Sequence, residues 1–267
     1  MAGAKRRIGE VGLWVEEQGA GTPALCISGL GYSSWCWREM ARALAAHHRV
    51  VTFDNRGTGR SDAPEHGFSI VQFASDAAGV LESLGAAPAH VIGHSMGGYI
   101  ALTLAVRHPG MVRSLVLIGT SSGGDGSLPV PPATSDAWKE AVALPPREFA
   151  RATMPYSFAS GWSDAHPERF NQLLAARLEF PTATEPWKKQ FRTASEFGRN
   201  GLEVSGIGVP VMILHGTDDR VVPYANGERL ARQIPHARLE TMDGAGHLCF
   251  LEEPSRVRLL LGSWFQE

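Results

Sequence analysis

Short apolar, β-branched runs alternate along the chain with stretches whose apolar positions recur every three to four residues. That alternation predicts strands and helices in turn. Val11 to Glu17 and Ala24 to Ser28 read as the first strands. Trp35 to Ala46 reads as a helix with Ser33 or Ser34 as its N-cap, and Arg49 to Phe53 as a strand. Ile70 to Leu84 is a helix ended by Gly85. The buried run around Val91-Ile92 is a strand, followed by a helix that begins at Met96 and stops near His108-Pro109. Ser114 to Ile118 and Val209 to His215 are strands, Ala225 to Gln233 is a helix, and Ala237 to Met242 is the last strand. Pro254 starts a final helix that runs to about Phe265. Strands alternating with helices predict an α/β fold with a mostly parallel, doubly wound sheet.

The alternation breaks between about 123 and 208, where no strand pattern appears. Gly123, Gly124, Gly126, Pro129, Pro131 and Pro132 form a connector. Helical patterns follow at Asp136–Leu144, Arg147–Met154, Pro167–Glu179 and Glu185–Phe197, with many aromatic residues. The expected organisation is a core of residues 1–122 and 206–267 with a helical cap, 123–205, inserted over the carboxyl edge of the sheet. An apolar cap favours a small, mainly apolar substrate.

The chain has 267 residues, 43% hydrophobic and 19% charged, which is enough for one large α/β domain with an insertion. Its formal net charge of −2 argues against nucleic-acid binding. Lys5, Arg6 and Arg7 are soon followed by Glu10, Glu16 and Glu17, and the stretch has no apolar run long enough for a signal peptide or a membrane span. Cys26, Cys36 and Cys249 are too few for a disulfide framework and lack metal-ligand spacing, so a cytoplasmic location is the expectation.

The candidate chemistry centres on Gly93-His94-Ser95-Met96-Gly97, between a strand and a helix. A chain that reverses in so few residues strains the apical residue, needs glycine on either side, and lifts the serine hydroxyl clear of the sheet. The same spacing recurs at Gly119-Thr120-Ser121-Ser122-Gly123, but loop residues rather than a helix follow it, so Ser95 and not Ser121 is the candidate nucleophile. A serine needs a base and an acid that orients the base. His247 follows the last strand, and Asp218 and Asp219 follow the strand before it, so each part lies at a strand's carboxyl end. His90, His94, His108 and His215 read as structural, as do Asp54 and Arg56, and Cys249 reads as packing.

Taken together, these motifs make the chain resemble an α/β-hydrolase with a helical cap. Gly93-His94-Ser95-Met96-Gly97-Gly98 resembles the nucleophile elbow, Gly216-Thr217-Asp218-Asp219 the acid loop, and Gly244-Ala245-Gly246-His247 the histidine loop. Asp54-Asn55-Arg56-Gly57-Thr58-Gly59-Arg60-Ser61 resembles a turn of the esterase, enol-lactonase and C–C hydrolase branches. The resemblance implies a catalytic triad of Ser95, Asp219 and His247, with Asp219 favoured over Asp218 by its distance from the glycine. It implies an oxyanion hole from the N–H groups of Met96 and Leu30, with Ser28 standing where histidine is commoner. Trp35, Trp37, Tyr156 and Trp162 are candidates for the substrate-facing wall, with packing as the competing role.

The implied activity is hydrolysis of a carboxylic ester or lactone of a small molecule through an acyl-enzyme on Ser95, without a metal or cofactor. The alternatives are C–C bond hydrolysis of a β-diketone-like ring-cleavage product, cofactor-free perhydrolysis, and a lyase or ligand receptor on the same scaffold. A serine at the elbow disfavours the dehalogenase and epoxide hydrolase branches, which use aspartate there. Oligomeric state, monomer or homodimer, is left open.

Overall fold

The computed structural model describes residues 2–266. Its strands are β1 (Ala2–Ile8), β2 (Val11–Gln18), β3 (Thr22–Ile27), β4 (His48–Phe53), β5 (Ala89–His94), β6 (Val112–Ile118), β7 (Val211–Gly216) and β8 (Arg238–Met242). They form one eight-stranded sheet in the order β1-β2-β4-β3-β5-β6-β7-β8. β1 and β2 run antiparallel to their neighbours, and every pairing from β4 to β8 is parallel. The chain therefore moves outward from β3 to β4 and returns past it to β5. Crevices at such a reversal, beyond the carboxyl ends of the strands, are where open α/β sheets bind ligands.

The helices are α1 (Arg38–Leu44), α2 (Ile70–Ser83), α3 (Met96–Arg107), α4 (Pro132–Ala141), α5 (Pro146–Thr153), α6 (Trp162–Ala165), α7 (Pro167–Glu179), α8 (Thr184–Asn200), α9 (Tyr224–Gln233), α10 (Cys249–Glu252) and α11 (Pro254–Trp264). Helices α4 to α8 all fall between β6 and β7, in the stretch without strands. One apolar cluster covers one face of the sheet, with Phe73, Leu81, Ile100 and Leu104 from α2 and α3. A second covers the other face, and there Met154, Phe158, Leu173 and Leu178 of the helical segment join Trp37, Phe250 and Leu261. The segment thus shares the core of the sheet. No helix among the described residues is long and apolar enough to cross a membrane.

Two expectations need correction. β1 is a strand, although nothing in Ala-Gly-Ala-Lys-Arg-Arg-Ile looks like one; it is an edge strand, paired from Ala2↔Glu17 to Ile8↔Val11. The helix expected from Trp35 opens instead as a 3₁₀ turn, Ser34–Trp37, ahead of α1. Neither expected serine caps it with its side chain: the buried Asp54 carboxylate, just past the end of β4, takes the Ser34 N–H at 2.7 Å and does the capping. By contrast, Ser69 caps α2 by accepting from Gln72 N, and Gly85, at φ +56°, closes it.

Candidate active site

The junction of β5 and α3 is built by exclusion. Ser95 has φ 56° and ψ −121°, and it is the one non-glycine residue at positive φ among the described residues. Such a conformation costs of order 1 kcal/mol or more and persists only where neighbours impose it. Here they do. A Cβ on Gly93 would sit 2.4 Å from the Gly97 carbonyl oxygen, and one on Gly97 would sit 2.1 Å from that of Ile27. Both obstacles are backbone, so only glycine fits. The Ser95 N–H donates to Ile118 O at 2.9 Å, which ties the elbow to the end of β6.

The loops after β7 and β8 bring together Asp219 and His247. Nδ1 of His247 donates to Asp219 Oδ2 at 2.8 Å, and both side chains are buried. Asp219 Oδ1 accepts the N–H groups of Val221 and Val222, each at 2.8 Å, and Oδ2 also lies 3.4 Å from His215 Nε2. Burial alone would raise the Asp219 carboxyl, but the opposing charge of His247 and the hydrogen bonds from His215 and His247 outweigh it and hold the group below the usual carboxylate range. An imidazole whose Nδ1–H is committed to a carboxylate carries its lone pair on Nε2, which has no hydrogen-bond partner among the described residues. That nitrogen can act as a base. Asp218, next door, points elsewhere: its carboxylate accepts from Ser160 N at 2.6 Å, near the surface.

The loop after β3 approaches the elbow closely. A Cβ on Gly29 would lie 3.0 Å from Ser95 Cβ. Ser28 is held to the core: its hydroxyl accepts from Trp37 Nε1 at 3.0 Å and its carbonyl from Asn55 Nδ2 at 3.0 Å. The turn that follows β4 is a brace. Arg56 makes a bidentate pair with Asp76, both contacts at 2.6 Å, and Asp54 accepts the Arg60 N–H at 2.8 Å.

Leu30, Ser95 and Met96 line one cavity of about 660 Å³, whose other walls include Tyr99, Ser121, Leu128, Trp138 and Phe191. His247 and Asp219 are buried outside its lining. The four aromatic residues expected on the wall are not there. Trp37 stacks on Phe250 at 4.7 Å and Trp35 lies against Tyr32, both buried in the core. Trp162 stacks on Phe158 at 4.6 Å, and Tyr156 lies under the Arg220 guanidinium. The three tryptophans each pack against another aromatic ring, and Tyr156 against a guanidinium, instead of facing the cavity. Sequence reasoning missed Tyr99, Trp138 and Phe191 as wall residues. Tyr99 carried a signal, since one helical turn after the nucleophile places it beside Ser95. No group of three or more His, Cys, Asp or Glu side chains that could hold a metal ion occurs among the described residues.

Residues 22–254 match the family model for the alpha/beta hydrolase fold. The chain is 33% identical over 241 residues to RutD of Azorhizobium caulinodans, named provisionally as a carbamate hydrolase, covering 90% of this chain and 89% of that one. It is 27% identical over 266 residues to a 2-hydroxymuconate semialdehyde hydrolase of Pseudomonas putida, covering 95% and 90%. Among solved structures, the esterase RhEst1 of Rhodococcus sp. ECU1013 superposes with a TM-score of 0.83 at 27% identity, over 99% of this chain and 98% of that one.

Proposed function

The chain belongs to the α/β-hydrolase fold family, and from that premise we propose that it is a serine hydrolase of carboxylic esters or lactones with a small, mainly apolar body. The observation that carries this reading is the buried 2.8 Å bond between His247 Nδ1 and Asp219, which leaves Nε2 as the available base of a chain whose elbow presents Ser95.

In the proposed reaction, His247 Nε2 takes the Ser95 proton as Oγ attacks the substrate carbonyl carbon. The carbonyl π pair moves onto oxygen, and the N–H groups of Leu30 and Met96 receive that charge; Met96 adds the favourable field of a helix N-terminus. The intermediate collapses, the C–O bond breaks, and His247 returns the proton to the leaving alkoxide. Water then attacks the acyl-enzyme, with His247 again taking and returning one proton. Asp219 stays ionised throughout and stabilises the imidazolium. The helical segment 123–205 serves as the lid, and the apolar residues on the cavity wall, such as Leu128, Trp138 and Phe191, favour an apolar acyl or alcohol group. The relative that acts on 2-hydroxymuconate semialdehyde supports C–C bond hydrolysis as a second reading.

The test is a chain-length series of p-nitrophenyl esters on wild type and Ser95→Ala, with mass spectrometry for a trapped acyl adduct. Turnover and an adduct on Ser95, both lost in the variant, are expected. Absence of both in wild type would overturn the ester reading and move attention to a vinylogous diketone substrate.

A further inference from the structure

Between the Ser28 anchor and the helical segment, the loop after β3 is held from two sides. Ser28 is fixed to the core by Asn55 and Trp37, and Gly29 lies against the elbow. Gly31 is fixed to the helical segment. Its N–H donates to Gln190 Oε1 of α8 at 2.9 Å, and its carbonyl accepts from Thr182 Oγ1 at 3.0 Å. Gly31 has φ +70°, and a Cβ there would lie 2.7 Å from Trp187 Cδ1. Leu30 is the single residue between these two attachments.

Gln190 does more than touch the loop. It is fully buried, and its Nε2 donates to Arg56 O at 2.9 Å, in the turn that Asp76 braces. One amide thus joins the helical segment, the loop that carries Leu30, and the turn after β4. A buried side-chain amide with both ends satisfied fixes its partners, because breaking either bond strands a buried polar group.

We propose that Gln190 is a positioning residue: by holding the Leu30–Gly31 peptide against α8, it aims the Leu30 N–H at the substrate oxyanion and makes that aim depend on the seating of the helical segment. The proposal rests on the serine hydrolase reading. A donor pre-aimed at developing charge acts on the transition state and not on ground-state binding. Gln190→Met keeps the length and apolar stem while removing both hydrogen bonds. Thr182→Val removes the other hold on Gly31 at a half-buried site and gives a second route should the first variant fold poorly.

The experiment measures kcat and KM on the best p-nitrophenyl ester, melting temperature, and inhibition by a matched pair of ketones. A trifluoromethyl ketone adds Ser95 Oγ to its carbonyl carbon, its proton passing to His247 and its oxygen becoming an oxyanion; the corresponding methyl ketone binds without that addition. In Gln190→Met, kcat and trifluoromethyl ketone affinity are expected to fall by about tenfold or more, with KM and methyl ketone affinity within about twofold, and Thr182→Val follows in the same direction. Folded variants with wild-type kcat and wild-type trifluoromethyl ketone affinity overturn the proposal, as does an equal loss for both ketones, which would mark a merely structural role. If wild type neither turns over an ester nor captures the trifluoromethyl ketone on Ser95, the hydrolase reading itself fails and this one with it.

Discussion

His94 Nε2 donates to the carbonyl oxygen of His247 at 3.1 Å. The residue before the elbow serine thereby holds the backbone of the residue proposed as its base. The donation fixes the tautomer: Nε2 carries the proton, and Nδ1 is buried without a partner. Burial first, and the nearby His247 second, keep the His94 imidazole well below its usual pKa. It is therefore neutral when His247 becomes an imidazolium 4.5 Å away, centroid to centroid.

Replacing His94 by Phe keeps a ring in this packed site and removes the bond. Losing one such positioning hydrogen bond, worth about 1 kcal/mol, is expected to lower kcat by roughly fivefold to tenfold. Steady-state kinetics on an ester substrate checks this, and an unchanged kcat would show that His247 needs no such support.

Adjacent aspartates make a sharper comparison. Asp219 is buried and bonded to His247, whereas Asp218 accepts from Ser160 N near the surface. Asp219→Asn offers an amide where the imidazole needs an acceptor and turns the ring to the wrong tautomer, so kcat is expected to fall by about 10³ or more. Asp218→Asn should leave kcat within about twofold. A large loss in the second variant and a small one in the first would exchange their roles.

Strain at Ser95 predicts a trade of stability for function. At φ 56° and ψ −121°, glycine is comfortable and alanine is not. Ser95→Gly is expected to gain about 1 kcal/mol, a rise of about 2 °C in melting temperature for a chain of this size, while Ser95→Ala gains nothing. Both should be inactive. Calorimetry of the two side by side decides it, and equal melting temperatures would mean that the elbow stores no strain.

Much of this was legible in the chain because it follows from local rules. Gly93 and Gly97 flank Ser95 because backbone oxygens occupy the space a Cβ would need, and that requirement shows in the sequence as a spacing. The strands from β3 to β7 bury mostly apolar residues because both faces of a parallel sheet are covered. β1 escaped notice because an edge strand needs only one partner and buries little beyond Ile8, so charged residues serve there. The cavity wall escaped for a different reason. Trp37 faces Phe250 and Gln190 faces Gly31 across long separations in the chain, and no periodicity records which of many aromatic or polar side chains a distant element will meet.

Glu252 carries the pH dependence that the fold predicts. Its carboxylate accepts the N–H groups of Gly246, just before His247, and of Ala159 in the helical segment. Burial pushes the group up to about 7 against those hydrogen bonds, and the negative charges of Glu253 and Asp218 add to the rise. In the unfolded chain it ionises near the ordinary value of 4.5. The folded state therefore binds the extra proton between those values, so this group's contribution to stability is fully present below about pH 4.5 and is lost as pH rises to about 7. Glu252→Gln keeps an acceptor for both N–H groups and cannot ionise. The melting temperature of wild type minus that of the variant is expected to fall steadily between pH 4.5 and 7 and to level off above. A difference that stays constant across that range would show that Glu252 ionises as it does in the unfolded chain, and that the junction between the histidine loop and the helical segment holds a permanent charge.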